Sequence, residues 1–519
     1  MKKFINTAVL VFFVSFLQAQ STAYFKVADN GSFEKIERVT SGGYITIGAD
    51  SAYKIQIMRW DNNFNILWKY KLTDANISAI SLKIVEANDG SFYFMCASQE
   101  HTGSTLIIKF SSSGALEWQK TYYLASGNMN SIALSKATGS DNGFLFGGGQ
   151  CTLYNYIIKC DADGNIVWQK QYFYPLSTGV ITCWSIIPDG NEYVVSSGYN
   201  INSLLTFKID ALGNLNSHTA YTYTGMQIIP TRIVKLNSTG GYAIMGNYNS
   251  SNDNKTEFVA IYDQSLNLLT FNELTVTYTQ FTLTDITASN NGKNVVVVGS
   301  IYDGSAFTIA MINLTNSGTI NWKKRAAGNT ATTNKNVEFR GITQNGNTTV
   351  HVGHGYNEGR IISIIDTNGN GLCNDIGFDI SNIHKTLALQ SQTMSVAAAN
   401  ALSASVSYTY NTSASYNKVV YCGSISGIES NAAIIPMTIN ICPNPVSEKC
   451  IVTYPSDNIN GISFISVFNI SGQLIFKSQI PASSMSTELD LSNFNEGLYM
   501  VQISSENKIL GNEKLLIVR

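Results

Sequence analysis

The sequence predicts an all-β fold, and three observations lead to that prediction. Tyr and Phe number 27 and 24, while charged residues make up only 13% of the 519 residues. Short apolar runs alternate with segments rich in Gly, Asn, Ser and Thr, and two sequence marks recur together along the chain. Because aromatic residues favour strands and Gly and Asn favour tight turns, this composition is typical of strands joined by hairpins.

The first mark is a polar turn that contains Gly and is followed by Trp or Tyr. Its clearest copies are 109–122 and 159–172, and weaker copies begin at Asp61, Asp210, Asp263, near Thr315 and at Asp366. The copies recur about every fifty residues, which is the period of propeller blades and similar β-repeats. The count of these turns predicts seven repeat units.

The second mark is a Gly-bounded apolar strand that lies about twenty residues ahead of each polar turn. Its copies begin at Gly43, Gly90, Gly143, Gly190, Gly241, Gly292 and Gly346. The second mark therefore predicts the same number of units as the first. Each unit can be divided into four strands, and a sheet of four strands cannot bury both faces unless neighbouring units stack.

Closing seven such sheets into a ring leaves only short edges exposed. We therefore predict a seven-bladed β-propeller over 20–423, with Trp68, Trp118, Trp168 and Trp322 wedged between adjacent blades; an open solenoid is the alternative. We interpret the stretch rich in Ala, Ser and Thr after Asp366 as an insertion within the closing blade. The strand around 24–27 is expected to complete that blade from the other end of the chain.

The first nineteen residues (1–19) have the pattern of a secretory signal, with Lys2 and Lys3 before an apolar run and Ala19 at a plausible cleavage position. The apolar run is too short to span a bilayer, and we expect no transmembrane segment in the mature protein. A formal net charge of -2 leaves no electrostatic footprint for nucleic acid. We expect a monomer.

The end of the chain has a different pattern. Residues 424–438 are predicted to be a linker, and the alternating strands of 439–519 predict a small Ig-like β-sandwich. This stretch resembles the type A C-terminal sorting domain of the type IX secretion system of Bacteroidetes. The matching positions are Pro443, Asn444, Pro445, Gly472, Gly497 and Tyr499.

The resemblance implies recognition by an outer-membrane translocon and a location outside the cell or on its outer surface. One departure from the family pattern is Cys442, which stands where an aromatic residue usually precedes Pro-Asn-Pro. A bridge between Cys442 and Cys450 is therefore an arrangement to test.

The usual catalytic motifs are missing from the sequence, namely a phosphate-binding loop, His-Glu-x-x-His and Gly-x-Ser-x-Gly. We therefore favour a protein without enzymatic activity and predict no cofactor. Glu37, Asp285 and Glu338 on predicted inner strands could converge on a channel and form a glycosidase-like site, and solvated channel lining is the other interpretation.

The turn at Asp366, Asn368 and Asn370 resembles the opening of a calcium loop. Gly377 occupies its twelfth position, where Glu would be expected. Hairpin chemistry also accounts for this turn.

The loops after the Gly-bounded strands are predicted to lie on the face opposite the Asp hairpins. They carry the candidate ligand-binding residues Tyr53, His101, Tyr154, Tyr199, Tyr248, Tyr302 and Tyr356. Tyr offers a stacking face and a hydroxyl, which suits a sugar or peptide surface, whereas simple packing of the loop edges is the alternative. We predict a secreted or cell-surface binding or adhesion protein whose ligand is a glycan or a protein. The alternatives are an extracellular polysaccharide hydrolase or lyase and a structural scaffold of the surface layer.

Overall fold

A computed structural model gives the fold of the chain. The residues it describes are 23–27, 31–99, 103–124, 129–150, 155–173, 181–199, 203–223, 227–249, 255–290, 292–326, 337–355, 359–371, 378–390, 394–399, 401–406, 410–411, 418–423, 439–454, 463–469, 474–480, 486–505 and 508–519. The predicted signal (1–19) and linker (424–438) lie outside them. The chain divides into two compact units, Met1–Ile428 and Glu429–Arg519.

The described residues form strands and turns without a helix, which confirms the all-β prediction. They accordingly offer no helix of the length and apolarity that crossing a membrane requires. The first half of the strands is β1 (Ala23–Val27), β2 (Ser32–Arg38), β3 (Tyr44–Ala49), β4 (Ile55–Trp60), β5 (Ile66–Leu72), β6 (Ile77–Glu86), β7 (Phe92–Ser98), β8 (Ser104–Phe110), β9 (Leu116–Leu124), β10 (Met129–Lys136), β11 (Phe144–Gln150), β12 (Asn155–Cys160), β13 (Ile166–Phe173), β14 (Ile181–Asp189), β15 (Glu192–Tyr199), β16 (Ser203–Asp210) and β17 (Leu215–Thr222).

The remaining strands of the first unit are β18 (Gln227–Lys235), β19 (Tyr242–Asn249), β20 (Lys255–Tyr262), β21 (Leu268–Val276), β22 (Gln280–Ala288), β23 (Asn294–Tyr302), β24 (Phe307–Thr315), β25 (Ile320–Ala326), β26 (Val337–Asn345), β27 (Thr348–Gly355), β28 (Gly359–Asp366), β29 (Ile380–Lys385), β30 (Ala388–Gln390), β31 (Ser395–Ala398), β32 (Ala401–Ser405), β33 (Tyr410–Asn411) and β34 (Lys418–Gly423). Those of the second unit are β35 (Asn440–Cys442), β36 (Lys449–Thr453), β37 (Ser463–Asn469), β38 (Leu474–Ile480), β39 (Ser486–Asp490), β40 (Gly497–Ser505) and β41 (Lys508–Ile517).

The strands of the first unit form open antiparallel sheets, seven of them among the described residues. Sheets 1 to 6 are each built on four consecutive strands, namely β2–β5, β6–β9, β10–β13, β14–β17, β18–β21 and β22–β25. Sheet 7 takes three strands, β26–β28, from the end of this run and its fourth from the start of the chain. That fourth strand is β1, in which Ala23 lies opposite Ile364 of β28, so the expected completion by 24–27 is confirmed.

The chain after Asp366 contradicts the prediction of an insertion within the closing blade. Strands β29, β30, β31, β32, β33 and β34 pair with the outer edges of sheets 5, 4, 3, 2, 1 and 7, in that order. The chain therefore turns back and passes along the sheets in reverse. The physical reason is that the outer strand of a sheet presents unpaired backbone groups, which a short returning strand can satisfy.

The repeated Trp residues connect one sheet to the next, as the sequence predicts. The indole Nε1 of Trp118 in sheet 2 donates to the Ala162 carbonyl in the Asp turn of sheet 3, at 3.0 Å. Trp168 makes the equivalent bond to Ala211 at 2.9 Å. The turn Gly164 has a φ of +75°, and a Cβ there would lie 2.9 Å from the Trp118 ring. The Gly of each such turn thus leaves room for the aromatic ring beneath it.

The second unit contains a sheet of three strands, β35-β36-β39, and a sheet of four, β38-β37-β40-β41. The two sheets share one apolar core that includes Val452, Ile465 and Val501. The Pro-Asn-Pro motif is fastened to the last strand, because the Asn444 amide donates to the Lys514 carbonyl at 2.7 Å. Its Oδ1 atom also accepts from the Leu516 amide at 2.9 Å.

The other sorting-motif positions and the two cysteines complete the description of this unit. The Tyr499 hydroxyl donates to the Asn495 carbonyl at 2.9 Å, and Gly497 has a φ of +147°. Gly472 lies outside the described residues. Cys442 and Cys450 are both free thiols, so the proposed bridge between them is not formed.

Candidate functional site

In each of the seven sheets of the first unit, the first strand in chain order carries a β-bulge at an equivalent position. These first strands are β2, β6, β10, β14, β18, β22 and β26. The sequence analysis did not predict the bulges. In β22 the pairing with β23 shifts between Leu283 and Asp285, and a Cβ at the partner Gly299 would lie 1.9 Å from the Thr282 carbonyl. Gly48 and Gly353 have the same close approach, at 1.9 Å each. In these sheets the Gly near the end of the second strand is therefore required by the bulge. In sheets 2 and 4 the bulge lies opposite other residues, since β7 contains no Gly and the bulge of β14 faces Ser197.

We call the residue directly after each bulge the bulge tier. Its members are Lys35, Lys83, Ala133, Ser185, Arg232, Asp285 and Gly341. The bulge in β6 is wider than the others, since the residues between Ser78 and Lys83 are all unpaired with β7. Three members of the tier are cations and one is a carboxylate, so charge is concentrated at this level of the first strands.

Asp285 is the centre of an ionic network within the tier. Its side chain has 0% exposure. Oδ1 lies 2.9 Å from Nε of Arg232 and Oδ2 lies 3.2 Å from Nζ of Lys35. The backbone amides of Ile286 and Ile342 donate to the same carboxylate at 2.9 and 3.2 Å. Burial by itself raises the pKa of Asp285, but the charges of Arg232 and Lys35 and the two amides together lower it. Asp285 is thus a charged, fully bonded group that joins sheets 1, 5, 6 and 7.

Glu37 belongs to the same network but has a different environment. Nη2 of Arg232 lies 3.0 Å from its Oε1, and its side chain is 32% exposed. Burial raises the pKa of Glu37, and the Arg232 charge opposes that rise only in part. The structure therefore brings Glu37 and Asp285 onto one guanidinium group.

Glu338 is separate from these two carboxylates. It pairs with Arg340 at 2.6 Å and does not line the cavity described next. Of the three predicted catalytic carboxylates, only Glu37 and Asp285 are brought together, and Asp285 is inaccessible to a substrate.

A cavity of about 620 Å³ lies beside this network. It is lined by Lys35, Glu37, Lys83, Ile132, Trp184 and Arg232 among others, and it extends to turn residues such as Asn237 and Ser289. The strand register shows which end of the sheets the cavity reaches. Arg38, a lining residue at the end of β2, pairs with Tyr44, and Tyr44 pairs with Trp60, the residue before the Asp61 turn. The cavity thus extends toward the Asp-turn face, opposite the loop that carries Tyr53.

Lys83 is one of three lining cations, with Arg38 and Lys136, that have no ion pair among the described residues. Among the described residues no carboxylate lies within 4.0 Å of its ammonium group, whereas Lys35 and Arg232 both have acidic partners. Burial lowers the pKa of Lys83 to about 7, and the positive charges of Lys35 and Arg232 add to this effect. A lysine that lies near other cations and has no acidic partner favours the binding of an anion in the cavity.

The described tyrosines of the predicted binding set do not share one environment. Tyr53 is 81% exposed, whereas Tyr248 is 4% exposed and its hydroxyl bonds to the Glu273 carboxylate. Tyr302 donates to the Gly304 carbonyl at 3.1 Å, and its ring packs against Phe307. Tyr248 is therefore buried, with its hydroxyl bonded within its own sheet. His101, Tyr154, Tyr356 and the side chain of Tyr199 lie outside the described residues.

The turn at Asp366 has the hydrogen bonds of an ordinary hairpin. Oδ1 accepts from the backbone amides of Asn368 and Asn370, each at 2.8 Å, and Oδ2 accepts from the Asn370 side chain at 2.9 Å. Asp210 makes the same set of bonds in its own turn. Where the chain is described, no group of three or more His, Cys, Asp or Glu side chains could hold a metal ion. The hairpin interpretation therefore accounts for every bond seen at Asp366.

Sequence reasoning missed Lys35, Lys83, Trp184 and Arg232. A Gly near the end of the second strand lies opposite the bulge in sheets 1 and 5 and could have indicated Lys35 and Arg232. No such Gly marks Lys83 or Trp184, because β7 contains no Gly and the bulge of β14 lies opposite Ser197. The identity of the tier residues varies between sheets, so no repeated side chain marks them in the sequence.

Comparison with known proteins identifies the end of the chain. Residues 440–518 match the family described as the secretion system C-terminal sorting domain. This domain indicates that the protein is secreted through the type IX secretion system to the cell surface or the extracellular space. A search of curated proteins found no match.

Solved structures share weak similarity with the chain. Raptor from Chaetomium thermophilum has a TM-score of 0.44 and 10% identity, over 68% of this chain and 30% of that chain. Sqt1 from Chaetomium thermophilum, bound to the N-terminus of the ribosomal protein L10, has a TM-score of 0.39 and 12% identity. That match covers 67% of this chain and 99% of Sqt1. This chain thus spans less than a third of the Raptor chain.

Proposed function

We propose that this chain is a secreted, non-catalytic binding protein whose first unit is a closed seven-bladed β-propeller and whose ligand, a glycan or a protein, enters the central cavity. In this proposal 1–19 is the signal peptide, 20–423 the propeller, 424–438 the linker and 439–519 the sorting domain. Sheets 1 to 7 are the blades.

Contacts between the first and last sheets support the closed ring. Strand β26 contacts β2, just as each first strand contacts the next one along the chain. Arg360 in sheet 7 is fully buried, and its guanidinium donates to the carbonyls of Ser32 at 3.1 Å and Ala49 at 3.0 Å in sheet 1. Lys35 and Arg232 add ion pairs between sheets that are not neighbours in the chain. An open solenoid would leave the first and last sheets apart.

The complete burial of Asp285 is the observation that favours binding over hydrolysis. A glycosidase needs two carboxyl groups that both reach the scissile bond. Asp285 has no exposed surface and four donors already occupy its two oxygens. Of the predicted carboxylates only Glu37 lines the cavity, where it is paired with Arg232. The other lining carboxylate, Glu86, accepts hydrogen bonds from the backbone amide and the hydroxyl of Thr40. The cavity itself lies within the about 300–1,000 Å³ range of small-ligand sites.

The test compares the cavity with the tyrosine loops. The mature protein is screened on arrays of bacterial and host glycans and of matrix proteins, beside the variant Trp184→Ala and the double variant Tyr53→Ala with Tyr302→Ala. We expect Trp184→Ala to abolish binding and the tyrosine variant to retain it. Loss of binding only in the tyrosine variant would place the site on the loop face instead.

The two alternatives have their own readouts. Turnover of an extracellular polysaccharide that is lost in Glu37→Gln would make the protein an enzyme. Ordered self-assembly without an added ligand would make it a surface-layer scaffold. We expect neither result.

A further inference from the structure

The walls of the central cavity carry an excess of positive charge. Six of the residues that line it are cations, Lys35, Arg38, Lys83, Lys136, Arg232 and Lys235, and two are carboxylates, Glu37 and Glu86. Asp285 and Asp189 lie behind this lining, where they pair with Lys35 and Lys235. Counting all four acids, the cavity retains two more cations than anions.

Within the bulge tier, Lys83 contributes part of this excess positive charge. Lys35 and Arg232 are neutralised by Asp285 and Glu37, whereas Lys83 has no acidic partner within 4.0 Å among the described residues. A half-buried ammonium group without a counter-ion is unfavourable, and a bound anion would remove that cost. The cavity therefore selects for negative charge in its ligand.

Trp184 adds a second requirement on the ligand. It is half-buried, lies in the bulge of β14 and lines the same cavity together with Ile132 from the bulge of β10. An indole face in a cavity packs well against the C–H face of a sugar ring. Glu37 and the Arg232 guanidinium on another wall offer an acceptor and donors for hydroxyl groups.

We propose that the central cavity binds a saccharide bearing an anionic group, a carboxylate or a sulfate, with the anion against the Lys83 ammonium and the ring against Trp184. The inference rests on the proposed binding function and specifies its ligand class. Its chemistry is non-covalent, so the ligand leaves unchanged.

Binding of this ligand depends on pH with a defined sign. Lys83 has a pKa of about 7 without a ligand, so it is half-protonated near neutrality and fully charged below it. The charged groups around the cavity are Lys35, Glu37 and Arg38 on β2, Glu86 on β6, Lys136 on β10, Asp189 on β14, Arg232 and Lys235 on β18, and Asp285 on β22. A bound anion raises the Lys83 pKa, so affinity is full at acidic pH and falls as pH rises above about 7.

The experiment uses the full mature protein and matched pairs of probes. Uronate-containing oligosaccharides are compared with their methyl esters, sulfated ones with their desulfated forms, and Glu-rich peptides are included. The variants are Lys83→Met, Lys83→Arg and the control Lys71→Met, which removes a cation paired with Asp50 outside the cavity. Urea unfolding of each variant checks that it is folded.

We expect the wild type to bind charged saccharides about 10- to 100-fold more tightly than their neutral partners, the range of a charged hydrogen bond. Lys83→Met should remove this preference, Lys83→Arg should keep it with a flatter pH profile, and Lys71→Met should change nothing. Preference for the uronate or the sulfate pairs identifies which anion is recognised.

Three results would overturn the inference. Equal binding of charged and neutral saccharides, still lost in Trp184→Ala, would refute the anionic ligand and leave the central site standing. Binding of the Glu-rich peptides alone would refute the saccharide class. Binding that ignores both Lys83 and Trp184 substitutions would refute the inference and the central site together.

Discussion

Replacing Asp285 with Asn tests the ionic network that joins the sheets of the first unit. The substitution keeps the size of the side chain and removes its charge. Four donors converge on this carboxylate, two from backbone amides and two from the cations Lys35 and Arg232. The Asn amide nitrogen cannot accept a hydrogen bond, so some of the four donors lose their acceptor. Lys35 loses its acidic partner, whereas Arg232 keeps Glu37.

The expected cost follows from the burial of the group. Removing one member of a buried ion pair destabilises a protein by about 3–5 kcal/mol, because the remaining charges stay buried without compensation. The side-chain exposure of 0% for Asp285 and 14% for Lys35 puts this pair in the buried class. We therefore expect Asp285→Asn to lower the free energy of unfolding of the first unit by about 3–5 kcal/mol at pH 7.

Tryptophan fluorescence during urea unfolding measures this change in the first unit alone, because all 6 Trp residues lie between Trp60 and Trp322. The matched control is Asp379→Asn, since Asp379 is 99% exposed and lies 3.7 Å from Lys323. We expect the control to change the free energy of unfolding by less than about 0.5 kcal/mol.

The pH dependence gives a second check with a defined sign. The pKa of Asp285 is lowered in the folded protein, so its contribution is present above the unfolded pKa of about 3.9 and is lost as pH falls through the folded pKa. The difference in stability between wild type and Asp285→Asn should therefore be constant from about pH 5 to 7 and shrink in more acidic solution. A variant as stable as the Asp379→Asn control at pH 7 would refute the network as a stabilising element.

Three further predictions concern the bulge, the Asp turn and the thiols. Gly299→Ala should destabilise the first unit severely, since its Cβ would lie 1.9 Å from a carbonyl, while Gly198→Ala, with no atom closer than 3.4 Å, should be tolerated in the same urea assay; equal effects would argue against the bulge. Millimolar calcium should leave the Tm unchanged, because the Asp366 oxygens already hold the hairpin, and a rise in Tm that Asp366→Ala removes would support a calcium site. Iodoacetamide should label exposed Cys442 in the native protein and buried Cys183 only after unfolding, as mass spectrometry can read out; unlabelled Cys442 would indicate a bridge.

Local features of this chain were predictable because they depend on residues close in sequence. The Asp turns form as expected, since Asp210 bonds the amides of its own hairpin. The Trp residues reach the following turn because that turn belongs to the next repeat. The sorting domain was recognisable because Pro443, Asn444 and Pro445 form one short motif.

The return of the chain along the sheet edges was not predictable from local pattern. Strands β29 to β33 have two to six residues each and are rich in Ala and Ser, so their sequences show no clear strand pattern. What makes them strands is the unpaired edge offered by sheets that lie far away in sequence. When the edge of a distant sheet determines the pairing, the sequence of the added strand shows little sign of it.

The sequence by itself determined the β composition, the recurring turns and the identity of the exported tail, because each of these follows from short-range propensity or from an ordered motif. Only the tertiary structure decided which side chains meet. Glu37, Arg232 and Asp285 lie on strands of three different sheets. Their contacts depend on bulges that shift the pairing register of those strands. The same geometry leaves Lys83 without an acid, because charge pairing across sheets is a property of the assembled fold and of no single repeat.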